Sequence, residues 1–499
     1  MLTRRYLRSE AVKHLREPLY EAAEGSYQVH CTNMTTSSCS EAVKHLSEPL
    51  YEAAEGSYQV HCINMITSSC SEAVKHLREP LYEAGEGSYQ VNDDLVLRHH
   101  EQIDCMNQKD DLVLRHHEHI DCMNQKDSQH NDLPWNIRKF MHNKLHSFNF
   151  TAELKKLRPW SRSSWSHTDL PRLKEGMVGA QFWVSYVPCQ AQRLNAVQLT
   201  IEQIDLIKRL IDQYPDDLRL ATSADEVEAA FKDGRIASLI GVEGGHAIQN
   251  SLGVLRALRD LGVRYLTLTH TCSTPWAECA RAQETDLEDP LSPRGLTHFG
   301  KTVVREMNRL GLLVDLSHVS QATMQATLEV SRAPVIFSHS SVYAICRNPR
   351  NVPDHILRKV AMNGGIVMVS FYNHFLTCSE QATIKDVANH INHVRKIAGI
   401  QHVGIGADFD GVNKLPEGLE DVSKYPNLFA ELLADSSWSL EDLKLLAGQN
   451  LLRVMREAEK VRLAMSRQKV APYEEEVPTS QLENLTTCSY KFTKDPDDS

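Results

Sequence analysis

The sequence predicts an α/β protein, a closed (β/α)8 barrel of the TIM type, and three observations point there. Seven short apolar runs of strand length alternate with amphipathic helical stretches. Consecutive runs are separated by enough chain for a helix and its loops, as parallel strands joined by crossovers require. Acidic and histidine residues stand at the carboxyl ends of these runs, the end of a barrel where active sites are built.

Residues 178–187 read as the first clear strand, backed by an amphipathic helix at 199–214. The apolar run 236–242 is a buried strand closed by Glu243. A helix at 251–261 stops at Gly262 and leads into strand 263–269, closed by His270. Helix 297–310 ends at Gly311, strand 312–316 follows, and His318 stands just beyond it. Ser320 caps helix 321–330, and strand 335–337 comes next, with His339 beyond. Helix 356–362, strand 365–371, helix 384–398 and strand 403–406 complete the run, and Asp408 follows. An eighth strand has to precede His130, yet Asn124 to Gln129 is polar where a buried strand belongs. That strand is either short and poor or has been replaced by repeat sequence.

The repeats lie upstream. Residues 9–39 recur almost unchanged as 40–70 and, cut short, as 71–91, and residues 93–109 recur as 110–126. Such a period invites a solenoid. Near-identical copies, a truncated third repeat and the interruptions at Pro18, Pro49 and Pro80 favour a duplication that the fold does not need. The expected division is 1–127 as repeats outside the fold, 128–470 as the catalytic barrel and 471–499 as a C-terminal tail.

A formal net charge of -11 over 499 residues argues against nucleic acid as a partner and for a small-molecule substrate. No window approaches a membrane span, the start lacks the apolar core of a secretory signal, and the end lacks the hydrophobic tail that directs a lipid anchor. Cys189, Cys272, Cys279, Cys346, Cys378 and Cys488 follow no CxxC spacing, so they are buried thiols or disulfides. Asn33, Asn149 and Asn484 each begin a glycosylation triplet.

His130 and Asp132 lie two residues apart, so in a strand both side chains take one face and can hold one cation. Glu243 lies among Gly241, Gly244 and Gly245, and a buried carboxylate at a barrel rim needs a partner, for which a metal ion is the simplest. His318 and His339 end neighbouring strands and, with a shared carboxylate, make a second position. With Glu243 bridging, these five ligands would hold two ions roughly 3.5–4 Å apart, and nitrogen and oxygen donors favour zinc. Asp408 is placed to take or pass a proton, and His270 to donate to a developing oxyanion. The structural alternatives are a strand-end aspartate that caps a loop and a histidine bonded to backbone.

Residues from Ser128 to about Cys488 resemble the membrane dipeptidase (renal dipeptidase) family of the metallo-dependent hydrolase superfamily. The motifs are His130-Asn131-Asp132-Leu133-Pro134-Trp135, Gly179-Ala180-Gln181-Phe182-Trp183, Gly241-Val242-Glu243-Gly244-Gly245-His246, Leu266-Thr267-Leu268-Thr269-His270, Leu316-Ser317-His318, Phe337-Ser338-His339 and Arg350-Asn351-Val352-Pro353-Asp354. The resemblance implies two zinc ions, one on His130, Asp132 and Glu243, the other on Glu243, His318 and His339. It implies Asp408 as catalytic acid/base and His270 and Arg350 as substrate-binding residues. Disulfides Cys189–Cys272 and Cys346–Cys378, a subunit-linking Cys488 in a homodimer, and a glycolipid (GPI) anchor at the extracellular face of the plasma membrane are implied too. The activity implied is hydrolysis of dipeptides, with leukotriene D4 and cystinyl-bis-glycine among the candidates. The alternative is an inactive cell-surface binding or adhesion relative that keeps the barrel.

Overall fold

The computed structural model describes residues 126–283, 294–478 and 482, with the backbone of three short strands nearer the N-terminus. The chain divides into two compact units, Met1–Cys122 and Met123–Ser499. In the first, Leu19–Ala23 pairs antiparallel with Ser26–Thr32, which pairs in parallel with Ser57–Ile63. The second pairing joins repeat copies position for position, Tyr27 to Tyr58 and His30 to His61.

The second unit carries eight strands paired in parallel in chain order: β1 Lys126–Asn131, β2 Val178–Tyr186, β3 Ile236–Glu243, β4 Val263–Thr267, β5 Leu313–Asp315, β6 Val335–Phe337, β7 Ile366–Val369 and β8 Val403–Ile405. The ring is closed just past β8. Asn131 forms a parallel bridge with Phe409, and the Asp132 N–H donates to the Phe409 carbonyl at 3.1 Å. A side strand, Leu218–Leu220, pairs with the start of β3.

The first strand is short and irregular, and its first residue, Lys126, closes the second copy of the 93–109 repeat. β1 pairs with β2, but its register slips between Lys126 and Asp127 and again between Ser128 and Asn131. Strand pairing needs only backbone groups, and here β2 and the segment after β8 supply partners on both sides.

The strands are buried on both faces, and successive side chains alternate between two clusters. Ala180, Phe182 and Val184 of β2 and Ala237 and Leu239 of β3 join Tyr265, Leu313, Ile336 and Met368 in an inner cluster, while Trp183, Ile240, Val242, Val314 and Phe337 face the helices. Those helices begin where side chains can cap them: Ser251 accepts from the Val254 N–H, Thr297 from Gly300 and Ser320 from Thr323. Helix α1, His298–Leu310, stops at Gly311 with φ +69°, and α2, Asp354–Asn363, at Gly364 with φ +81°, a conformation that suits glycine. Helix α3, Asn450–Arg467, was not expected; its Leu451, Leu452, Val454 and Met455 join the inner cluster. Beyond it, Val477 is buried and Tyr473 and Leu482 pack on the outer core.

Two disulfides staple the carboxyl-end loops. Cys189–Cys272 joins the loop after β2 to the loop after β4, and Cys346–Cys378 joins the loops after β6 and β7. Both are the pairs the family resemblance implied. Cys279 is a buried free thiol, and Cys488 lies outside the described residues. The Cys346–Cys378 bond constrains a 32-residue separation. Its removal in the Cys346→Ala/Cys378→Ala double variant is expected to lower the unfolding free energy by roughly 2–4 kcal/mol, read from the urea midpoint.

Candidate metal centre

Each residue expected at the barrel mouth from a strand end is there. His130 is the penultimate residue of β1 and Asp132 follows that strand, while Glu243 is the last residue of β3. His270, His318, His339 and Asp408 come from the loops directly after β4, β5, β6 and β8. His318 and Asp408 reach inward through left-handed backbone, φ +68° and +67°, a strained conformation for non-glycine residues that their surroundings must enforce.

Glu243 is the hub. Its Oε1 lies 3.1 Å from His318 Nε2, 3.3 Å from His339 Nε2 and 3.5 Å from His130 Nε2. Asp132 Oδ2 and Asp408 Oδ1 approach the same His130 nitrogen at 3.4 and 3.8 Å, and His270 Nε2 lies 4.0 Å from Glu243 Oε2. His318 and His339 face one another, Nε2 to Nε2, at 2.9 Å. All of these side chains except His270 are buried.

Two glycines make room. A Cβ on Gly411 would lie 2.3 Å from both Asp132 Oδ2 and Asp408 Oδ1. A Cβ on Gly241 would lie 2.1 Å from the Tyr265 ring, whose hydroxyl reaches His130 Nδ1 at 3.0 Å. Arg350 is buried beside the cluster, donating through Nη2 to the His339 carbonyl and through Nη1 to Ser340 Oγ, both at 3.3 Å, with its guanidinium over Phe375. Its Nε has no partner among the described residues. Trp135, Tyr186 and His270 line up beside Glu243, with ring centroids 5.1 and 5.0 Å apart along the row.

The electrostatics follow from burial and from these neighbours. Burial lowers the pKa of His318 and His339 well below the imidazole range, so both are neutral with a lone pair to offer. His270 is pushed down to about 4, also chiefly by burial. Burial opposes ionisation of Glu243, but His130 and His270 overcome it and hold the carboxyl well below its usual range. Asp408 is raised, first by burial and then by the charges of Asp132 and Glu243, partly offset by His130 and Arg350. Arg350 falls to about 10 through burial.

The donor set fits cations. His130 Nε2 and Asp132 Oδ1 are buried without a hydrogen-bond partner among the described residues. Glu243 and Asp132 hold the His130 imidazolium well above its usual pKa range against the effect of burial, and a cation among the converging carboxylate oxygens and imidazole lone pairs would take the place of that proton. Two candidate ligand groups share Glu243: His130, Asp132 and Glu243, and Glu243, His318 and His339. A third group, His130, His339 and Asp408, overlaps them at the same centre, and a fourth, Cys189, His246 and Cys272, has its sulfurs joined in the disulfide.

Beyond this geometry, residues 93–469 match the pattern of the membrane dipeptidase family, peptidase family M19. The chain belongs to the membrane dipeptidase family. It is therefore a hydrolase of dipeptidase type. The mouse protein Dipeptidase 3 is 47% identical over 74% of this chain and 70% of its own length. The human Dipeptidase 3 is 48% identical over 72% of this chain and 69% of its own length. A metallopeptidase from Rhodobacter sphaeroides, solved with a phosphinate mimic of the dipeptide L-Ala-D-Ala, shares 25% identity with a TM-score of 0.57, covering 67% of this chain and 99% of its own. A probable dipeptidase from Pseudomonas aeruginosa, 20% identical with a TM-score of 0.61 over 70% of this chain and all of its own, shares the fold.

Sequence reasoning missed Tyr265, Gly411 and the groups behind His339. Tyr265 sits in an apolar run and reads as core, and only the pleat and the vacant Cβ position at Gly241 show its hydroxyl reaching His130. Tyr265→Phe is expected to weaken divalent-cation uptake roughly 10- to 100-fold in a chelator-competition titration, because His130 loses the group that orients its ring.

Proposed function

We propose that the chain is a two-zinc dipeptidase that hydrolyses the peptide bond of dipeptides carrying a free carboxylate. The observation that carries this is the approach of three imidazole nitrogens to the single oxygen Glu243 Oε1, at 3.1–3.5 Å. His130, Asp132 and Glu243 would hold one ion, and Glu243, His318 and His339 the other. When bound, the ions supply a water acidic enough to lose its proton near neutral pH and a Lewis acid for the scissile carbonyl.

The chain's own residues do the rest. Arg350 offers a desolvated guanidinium whose Nε is unpartnered among the described residues, suited to the substrate's carboxylate. Asp408, its affinity for protons raised by burial, accepts the proton of the attacking water and returns it to the leaving amine. Neutral His270 can donate a hydrogen bond to the oxygen on which charge develops. The two disulfides suit an oxidising compartment. With family resemblance they support a glycolipid-anchored homodimer at the extracellular face of the plasma membrane, linked through Cys488. Asn149 is exposed, with Thr151 Oγ1 donating to its Oδ1 at 2.7 Å, and is the favoured glycan position. Among the described residues no helix is long and apolar enough to cross a membrane. Leukotriene D4 and cystinyl-bis-glycine are the first substrates to assay beside simple dipeptides.

The test is metal content and turnover on the secreted, purified chain. Two zinc ions per chain and dipeptide hydrolysis are expected. Asp408→Asn should retain both ions yet lose roughly 10²- to 10⁴-fold in kcat. Arg350→Met should raise KM roughly 10- to 100-fold, the cost of a lost charged hydrogen bond. Asp132→Asn should bind one ion fewer. A wild-type chain that takes up no divalent cation, or that turns over no dipeptide when loaded, would sink the reading and favour the adhesion alternative.

A further inference from the structure

Asp315, the last residue of β5, is fully buried, and among the described residues it has no ion pair with lysine or arginine. Its carboxylate instead accepts four hydrogen bonds. Oδ1 takes the Ser317 N–H at 3.0 Å and the Ser338 N–H at 2.8 Å, and Oδ2 takes the hydroxyls of Thr267 and Ser338, each at 2.6 Å.

The Ser338 hydroxyl links this carboxylate to the metal centre. It has one proton, and three atoms lie within reach: Asp315 Oδ2 at 2.6 Å, His339 Nδ1 at 2.8 Å and Ser317 Oγ at 3.3 Å. A hydroxyl and a carboxylate oxygen at 2.6 Å need a proton between them, and the carboxylate can only accept. The proton therefore goes to Asp315. Ser338 Oγ is then an acceptor toward His339, so His339 Nδ1 carries the hydrogen and Nε2 carries the lone pair. That lone pair points where Glu243 Oε1 and His318 Nε2 converge, at 3.3 and 2.9 Å.

The other two imidazoles are backed differently. His130 Nδ1 meets the neutral phenol of Tyr265, and His318 Nδ1 has no partner among the described residues. Only His339 of the three has a carboxylate behind it, through one hydroxyl.

We infer that Asp315 and Ser338 are positioning residues for His339. Acting in series, they fix its tautomer and aim its Nε2, and so set the affinity of the cation position that His339 shares with Glu243 and His318. This rests on the reading of His339 as a cation ligand. A merely structural role is the competing account, since Asp315 also ties together β4, β5 and the loop after β6.

Two measurements separate the accounts. In the metal-free full-length chain, nitrogen NMR is expected to show His339 as the Nδ1–H tautomer, becoming a mixture in Ser338→Ala. The opposite tautomer in the wild type overturns the inference whether or not a cation binds. In zinc titrations, Ser338→Ala and Asp315→Asn are each expected to weaken one of two sites roughly 10- to 100-fold and leave the other unchanged. Ser338→Thr, which keeps the hydroxyl, should restore most of that loss. On cadmium loading, one of two cadmium resonances should move in Ser338→Ala. Thr267→Val removes a bond to Asp315 without touching His339, so it should lower the melting temperature while leaving both affinities in place. Equal losses of affinity in Thr267→Val and Ser338→Ala, or two unchanged sites in Ser338→Ala, overturn the inference alone. A wild-type chain that binds no cation removes the dipeptidase reading as well.

Discussion

One oxygen atom organises the carboxyl end of this barrel. Glu243 Oε1 stands within 3.5 Å of nitrogens from three histidines carried by three other strands or their loops, and all four side chains are buried. Acceptors do not gather this way for stability, because each would gain more from bulk water than from its neighbours. The surroundings make sense as the means of holding that arrangement. Glycines at 241 and 411 remove the Cβ atoms that would push its members apart. Left-handed backbone at His318 and Asp408 turns side chains inward that an extended chain would send elsewhere. Hydrogen-bond partners lie behind His130 and His339.

Much of this was legible in the chain because parallel strands buried on both faces read as unbroken apolar runs. The strand expected at 335–337 and the helices expected at 321–330 and 384–398 have those bounds in the structure. Most other strands end one or two residues sooner than the apolar pattern does, as the one expected to run to 269 stops at Thr267, whereas the one expected at 236–242 runs on to Glu243. The pattern reports burial, and the residues past a strand stay buried because the site encloses them. The polar first strand defeated periodicity, since its place in the sheet depends on backbone partners that no local pattern reveals.

The ladder of His130, Asp132, Glu243, His270, His318, His339 and Asp408 was legible for another reason: a barrel collects at one end the residues that come directly after its strands. The groups behind the ladder were not. Asp315 and Ser338 are 23 residues apart, and their contact depends on the register between neighbouring strands, where a shift of one residue would reverse every side chain. Arg350, on a loop with no periodic signal, came from family resemblance alone.

The seam of the barrel joins Asn131 to Phe409, residues from opposite ends of the catalytic unit. Closing so long a loop carries the largest entropic cost of any pairing in the ring, which places it late in folding. His130 and Asp132 flank one side of that seam, and Asp408 and Asp410 the other. Until the first and last strands meet, no subset of the ring presents the whole constellation. A partly synthesised or partly folded chain thus cannot assemble it, and competence is an all-or-none property of the closed circle. This ties the site's appearance to the final act of topology.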